Sequence, residues 1–327
     1  MMKNVSIAAL SLLMLFTACC KDSKDEPQTD SSGNEPAPAS LVTPQLRMSV
    51  ADPLAPSLFT GILEIYPCNE NSSVYFGNYM NGSLTIFNGY YVVVDGSVYG
   101  KNNRELHLPI GTYNMVYWGT PKYEEPIYNE PAIVSPGLTK GADLSELYFS
   151  LRPNGDGTYK PVYDLVHAVR PANIGSEDLQ ASLTRVGSGL KVVVTQSDNS
   201  VFSDAVVSMK VEINGIAEKL NFYTAEAVNM TKTVAFDLSR SSNGEVMSNA
   251  TVMLFPSAPS PQLNLIITLA DGTQHTLSQS LTSTLSPNTR LTLNIVVGKI
   301  LPDGSPGDFT IEAWNEESET IEFPVIN

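Results

Sequence analysis

Residues able to do chemistry are few and scattered in this chain. The three histidines, His107, His167 and His275, stand too far apart for a metal-ligand spacing. There is no Cys-x-x-Cys pair, no Gly-x-Ser-x-Gly elbow and no glycine loop of the kind that cradles phosphate. Asn154-Gly-Asp-Gly157 begins like a calcium loop but lacks the closing glutamate, so turn chemistry accounts for it better. Thirty-four acidic residues guarantee some close pairs by number alone, so a pair of carboxylates is no argument for glycoside hydrolysis. The pattern predicts no enzyme, no cofactor and no metal site.

Cys19 is the exception, because its neighbours specify a reaction. Lys3 precedes an apolar run from Val5 to Phe16, too short to span about 30 Å of hydrocarbon but suited to the core of a secretory signal. Phe16-Thr-Ala-Cys19 then resembles a bacterial lipobox, with small residues at the two positions before the cysteine. Cleavage before Cys19 would free its amine and let the thiol carry diacylglycerol, and two or three acyl chains hold a protein on a membrane effectively for good. The alternative is an ordinary secretory cut with Cys19 and Cys20 incidental. Cys68, the remaining cysteine, reads as a small buried hydrophobe near a strand end.

The stretch from Cys20 to about Ser40 has no large apolar residue, so it cannot offset the entropy of ordering and is expected to be a coil. A coil of that length spans about 25 Å, enough to hold a domain clear of a bilayer. Lys21-Asp22 and Asp25-Glu26 directly after the lipid site also resemble surface-export signals of Bacteroidota lipoproteins.

The elements beyond the tether must account for everything else. Of 327 residues, 42% are hydrophobic and 16% charged, with 34 acidic against 19 basic side chains and a formal charge of −15. That charge excludes phosphate-backbone binding and adhesion to an anionic leaflet through a basic patch. At roughly 150 residues per domain the length predicts two domains. Short runs of period two, bounded by turn residues, dominate, and helical periodicity is nearly absent.

Hairpins are expected at Asp95-Gly96, Asn214-Gly215 and Asp271-Gly272, whose residues favour positive φ. Further strands are expected over 61–66, 83–87, 113–118, 159–169, 181–195, 234–238, 250–255, 290–297, 309–314 and 320–326. A dozen short strands with frequent turns predict an all-β chain of β-sandwiches. Arg170–Asp178 is the least strand-like stretch and marks the domain boundary, and 176–185 has room for a helical turn. The division is a signal peptide over 1–18, a tether over 19–41, a first sandwich over 42–172 and a second over 173–327. Trp118 and Trp314 each end an alternating strand; either is a core or edge aromatic, or a platform for a sugar.

Tyr91-Val-Val-Val-Asp-Gly96, Leu108-Pro-Ile-Gly-Thr-Tyr-Asn-Met-Val-Tyr-Trp-Gly119, Leu183-Thr-Arg-Val-Gly-Ser-Gly-Leu-Lys-Val-Val-Val194 and Asn288-Thr-Arg-Leu-Thr-Leu-Asn-Ile-Val-Val-Gly298 carry a wider likeness. With the lipoprotein signal and acidic tether, the chain resembles the Bacteroidetes fimbrillin superfamily, and within it the FimB-like fimbrial anchor subunits. The resemblance covers essentially the whole mature chain. It implies two transthyretin-like β-sandwiches in tandem, no catalytic activity, and a place on the outer membrane in a surface fimbria.

It also implies partners: other fimbrial subunits, joined by β-strand addition, in which main-chain hydrogen bonds give affinity and alternate side chains set register. Stalk subunits of the superfamily lose their first strand to a trypsin-like cut, and a neighbour's C-terminal strand fills the groove. Anchor subunits keep lipid and first strand and end the polymer. Arg47 is the only basic residue between Lys24 and Lys101, hence the one site for such a cut here; in an anchor it is simply an exposed arginine on a strand. Ile321, Phe323 and Val325 alternate as a donor strand or a last domestic strand would, and Pro324 suits an edge. A stalk or tip subunit cut at Arg47 is the rival within the family, and a surface glycan-binding lipoprotein is the rival outside it.

Overall fold

The computed structural model describes residues 40–51, 57–86, 91–98, 105–121, 132–298 and 311–320. The signal peptide, Cys19, the tether to residue 39, and Ile321, Phe323 and Val325 lie outside the described residues. The first strands are Leu41–Val42 (β1), Leu46–Val50 (β2), Ser57–Leu58 (β3), Gly61–Cys68 (β4), Asn78–Met80 (β5) and Ser83–Thr85 (β6). Tyr91–Val94 (β7), Ser97–Val98 (β8), Leu108–Pro109 (β9) and Gly111–Pro121 (β10) follow. Next come Ile133–Val134 (β11), Tyr148–Leu151 (β12), Val166–Ile174 (β13), Leu179–Arg185 (β14) and Ser188–Gln196 (β15). Val206–Asn221 (β16), Ala227–Arg240 (β17), Val246–Ser248 (β18) and Val252–Leu254 (β19) lead to Gln262–Leu269 (β20), Gln274–Ser280 (β21), Thr289–Val297 (β22) and Ile311–Thr320 (β23). The one helical turn among the described residues is the 3-10 turn Leu144–Glu146, capped by the Asp143 carboxylate on the Ser145 amide at 2.9 Å.

The fold is all-β and built as β-sandwiches. An eight-stranded sheet runs β3-β2-β14-β13-β10-β4-β7-β8. A second, branched sheet runs β11-β12-β16-β17-β18-β15-β22-β23, with β20 and β21 beside β16 and β19 beside β15. β17 makes the corner of this second unit, pairing with β16 along most of its length and with β18 at Ser239 and Arg240. β1 with β9 and β5 with β6 form two small ribbons. Alternation explains the layers: along β14 Leu179, Ala181, Leu183 and Arg185 are buried while Gln180, Ser182 and Thr184 are exposed, and β20 and β22 repeat the pattern.

Arg170–Asp178, expected to be the least strand-like stretch, is the second half of β13 and the tight turn into β14. Its sequence is misleading because Pro171 sits where β13 has β10 as neighbour but no longer β14, which pairs only at Val166 and His167. The helical turn allowed over 176–185 is absent; a tight turn ends at Asp178 and β14 fills Leu179–Arg185. The chain leaves the first sheet at Arg185 and enters the second at Ser188, while β12, from the first half, pairs with β16 in the second sheet. Arg185 is buried at this crossing, gripping Asp164 through Nε at 2.7 Å and Nη2 at 2.8 Å, with Nη1 on Asn288 Oδ1 at 3.1 Å.

Asn214-Gly215 is not a hairpin turn. β16 continues through it, and the two residues bulge opposite Thr233 between the pairs Ile213↔Val234 and Ile216↔Lys232. Gly215 takes φ +73°, and the Thr233 hydroxyl donates to Asn214 Oδ1 at 2.6 Å. Asn-Gly supplies positive φ to bulge and turn alike, and β17 is long enough to pair both halves of β16. Asp95-Gly96 and Asp271-Gly272 do form the expected hairpins, with φ +49° and +75° at the first and +86° at Gly272 in the second.

Candidate functional site

Of the residues that sequence singles out for assembly, Arg47 is the one among the described residues, and it lies on β2. This strand is held on both edges: Leu46–Val50 runs parallel to Leu179–Leu183 of β14, and Ser49 and Val50 pair antiparallel with Leu58 and Ser57 of β3. The ladder extends past its ends, the Leu179 amide donating to Gln45 and the Ala51 amide to Leu183, both at 2.8 Å. Met48 and Val50 point into the core, while Arg47 and Ser49 face outward.

Met48 ties β2 to the β7–β8 hairpin as well. Its amide donates to the Gly96 carbonyl at 3.0 Å, the Gly96 amide donates to Phe59 at 2.8 Å, and the Phe59 amide donates back to Met48 at 3.1 Å. A Cβ on Gly96 would stand 2.7 Å from the Met48 carbonyl oxygen, so this closed ring of three bonds needs glycine for contact as well as for φ.

Arg47 projects from the strand with its side chain 70% exposed and reaches Asp178 through Nε at 3.1 Å. An exposed ion pair of this kind contributes at most about 1 kcal/mol. Beside the strand lies an open cleft of about 740 Å³, lined in part by Arg47, Ser49, Leu58, Val98, Arg170 and Gln180. Leu58 and Val98 are large apolar residues left exposed there. The Arg47 side chain is therefore accessible, but the peptide bond that follows it lies inside a hydrogen-bonded strand.

At the other end of the chain β23 forms an outer strand of the second sheet, paired with β22 from Ile311 to Thr320. Ile321, Phe323 and Val325 would directly continue it, and they lie outside the described residues. Glu316 anchors β23 by accepting from the Thr282 amide at 2.9 Å, its hydroxyl at 2.9 Å and the Ser283 amide at 2.8 Å. Burial works to raise its pKa, but these donors outweigh it and hold the carboxyl below its ordinary value.

The aromatic residues weighed as a sugar platform divide. Trp118 is 1% exposed, its indole packed edge-on against Phe149 at 4.8 Å and beside His167 at 4.6 Å. It cannot stack on a saccharide. Trp314 is half-buried, its Nε1 3.2 Å from Glu316 Oε1. His167 is buried, and burial pushes its pKa down to about 4 against a hydrogen bond to the Tyr223 backbone. Cys68 ends β4 fully buried, its thiol pushed up to about 12 by burial and then by the Asp143 charge. Asp156 accepts from the Thr158 amide at 2.9 Å and hydroxyl at 2.6 Å, closing the Asn154–Gly157 segment as a turn. Among the described residues no three His, Cys, Asp or Glu side chains are grouped to hold a metal ion.

Sequence reasoning missed the docking of the β16–β17 turn against the first sheet. Asn221 Oδ1 accepts from the Tyr223 and Thr224 amides, both at 2.9 Å, which folds the turn. Phe222 then presents its carbonyl to Trp118 and packs its ring 4.9 Å from Tyr66. Nothing in the hydrophobic alternation of either strand announces a turn used as a plug.

The profile of the family described as fimbrillin-A associated anchor proteins Mfa1 and Mfa2 matches residues 48–320. Among solved structures, the fimbrial anchor protein Mfa2 from Porphyromonas gingivalis is similar at 11% identity and TM-score 0.50, covering 85% of this chain and 98% of that one. A candidate adhesin from Bacteroides ovatus ATCC 8483 is similar at 15% identity and TM-score 0.49, covering 75% of this chain and 84% of its own. No curated protein matches the chain.

Proposed function

The chain belongs to the family of fimbrillin-A associated anchor proteins Mfa1 and Mfa2, and from that membership we propose that it is a non-enzymatic subunit, lipidated at Cys19, that fastens a fimbria to the outer membrane and ends its assembly. Association with a cell-surface fimbria comes with the family; the lipid, the terminal position and the mode of subunit joining are the proposal. The observation that carries it is the seating of β2. A subunit that keeps the strand carrying Arg47 needs that strand held on both edges, and β2 has β14 on one side, β3 on the other and the Met48–Gly96–Phe59 ring across it. Upstream, Phe16-Thr-Ala-Cys19 and the charged coil supply an anchor and a tether. Fimbrial partners would join by strand addition, with Ile321, Phe323 and Val325 as side chains of a strand given to a neighbour or kept at home.

The exposed Arg47 side chain supports a second reading, a stalk or tip subunit cut between Arg47 and Met48 and then polymerised. Intact-mass and N-terminal analysis of protein from washed envelopes and from sheared fimbriae separates the two. An acylated Cys19 on an uncut chain that stays with the envelope is the expected result. A new N-terminus at Met48 in the sheared fibre would replace the anchor with the polymerising subunit.

A further inference from the structure

An outer strand of a sheet invites pairing with another chain unless it is short, charged, bulged or carries proline. Most outer strands here meet one of those conditions. β3, β8 and β11 are two residues long, and β23 carries Glu316, Glu317 and Glu319. β21 meets none. It is Gln274-His-Thr-Leu-Ser-Gln-Ser280, seven residues with no Asp, Glu, Lys, Arg, Pro or Gly. It pairs in register with β20 from Gln262↔Ser280 to Thr268↔Gln274, and among the described residues with no other strand.

The phase of this pairing fixes which backbone groups face outward. The Leu269 amide donates to Thr273 and the Leu281 amide to Pro261, both at 2.9 Å, so hydrogen-bonded pairs fall at His275, Leu277 and Gln279. The amides and carbonyls of Gln274, Thr276, Ser278 and Ser280 therefore point away from β20, and their side chains are exposed. Leu277, between them, lies half-buried against the core.

We propose that this edge joins two copies of the chain, β21 against β21, antiparallel about a two-fold axis at Leu277. The four outward-facing residues match one another under that operation. Thr276 opposes Ser278 of the second copy and Gln274 opposes Ser280, each pair exchanging two main-chain bonds, about eight in all. Thr against Ser is a favourable cross-strand pair, and Leu277 meets its own equivalent at the axis. Charge selects the same edge: each copy carries −15, and β23 laid on itself would bring glutamates together, whereas β21 brings none. The result is a sheet continuous through two subunits.

The test is cysteine crosslinking of the full-length chain in oxidised cell envelopes, with Cys20→Ser as background. Opposed Leu277 residues would form a non-hydrogen-bonded pair with Cα atoms about 4.5 Å apart, within disulfide reach. Leu277→Cys is expected to give a covalent dimer. His275→Cys, whose equivalents would be about 13 Å apart along the strands, is expected to give at least about tenfold less. Equal dimer from the two, or none from Leu277→Cys, would overturn the pairing. Adding Thr276→Pro to Leu277→Cys removes an outward amide without touching a bond to β20, and should cut the dimer at least about fivefold. An undiminished dimer would also overturn it, and the comparison of the two cysteines stands even where the proline variant fails to fold.

Discussion

Trp118 on β10 donates its indole N–H to the backbone carbonyl of Phe222 at 2.8 Å, so a strand of the first sheet is bonded directly to a turn of the second. The contact is buried among rings, with Phe149 4.8 Å away and Phe222 itself 5.9 Å away. The bond and the stacking act together, because the turn that offers the carbonyl also supplies the ring.

Trp118→Phe keeps most of the packing but leaves the Phe222 carbonyl without its donor, which costs about 1–3 kcal/mol. Trp118→Ala also opens a cavity, for about 3–5 kcal/mol. Urea unfolding of the two variants should resolve that order. Equal losses would mean that the hydrogen bond contributes nothing beyond the ring.

The same residue shows how far sequence reaches. Alternation around Trp118 identifies a strand, and Gly111–Pro121 is one, but the face on which an aromatic is buried depends on what covers it. The cover is Phe222, 104 residues further on, in a turn whose sequence reads as the end of the return strand of a hairpin at Asn214-Gly215. Likewise 159–169 reads as one strand, whereas Tyr159 bridges to Val234 and Val162 to Met253 in the second sheet before the chain crosses to β13 at Val166. Local period fixes extended backbone; which sheet a segment joins is a non-local choice. Arg47 is legible as the lone cation near the first strand, but its pairing to Asp178 and the parallel partner β14 are not.

His167 is held neutral by burial, with its pKa lowered to about 4 from an ordinary 6.5. Between those values the unfolded chain binds a proton that the folded chain refuses, so stability falls as pH falls through this window. One such group lowers stability by about 3 kcal/mol between pH 7 and pH 4. Glu64, raised by burial despite its bond from Tyr66, acts in the opposite sense, gaining stability as pH falls. Urea midpoints of the native chain and His167→Gln from pH 7 to pH 4 should show a shallower decline in the variant. Parallel curves would place the acid sensitivity elsewhere.

Gly96 and Gly272 both sit in hairpins at positive φ, +75° and +86°, but only Gly96 is crowded. A Cβ on Gly272 would meet nothing within 4 Å, so Gly272→Ala should lose only the conformational preference, about 1 kcal/mol. Gly96→Ala meets the Met48 carbonyl as well and should lose about 2 kcal/mol or more. Thermal unfolding of both variants measures the difference, and matched losses would mean that β2 yields at no cost.

The Arg47–Met48 bond lies where β2 is paired with β14, and on the other side the Met48 amide and carbonyl are both engaged, by Gly96 and Phe59. A trypsin-like protease must draw an extended, unpaired segment into its own cleft, so cleavage of the folded chain follows the fraction of time β2 is detached. Removing the Asp178 partner should matter little: Asp178→Asn loosens an exposed pair and is expected to speed cleavage less than about fivefold. Met48→Ala empties a buried site, weakens the strand by about 2–5 kcal/mol and should speed cleavage by at least about thirtyfold when reclosing outpaces cutting. Limited trypsinolysis of the folded protein, with the Met48 N-terminus quantified over time, gives both rates. If native protein and the Met48→Ala variant are cut equally fast, β2 is not a retained strand, and the polymerising subunit becomes the better reading of this chain.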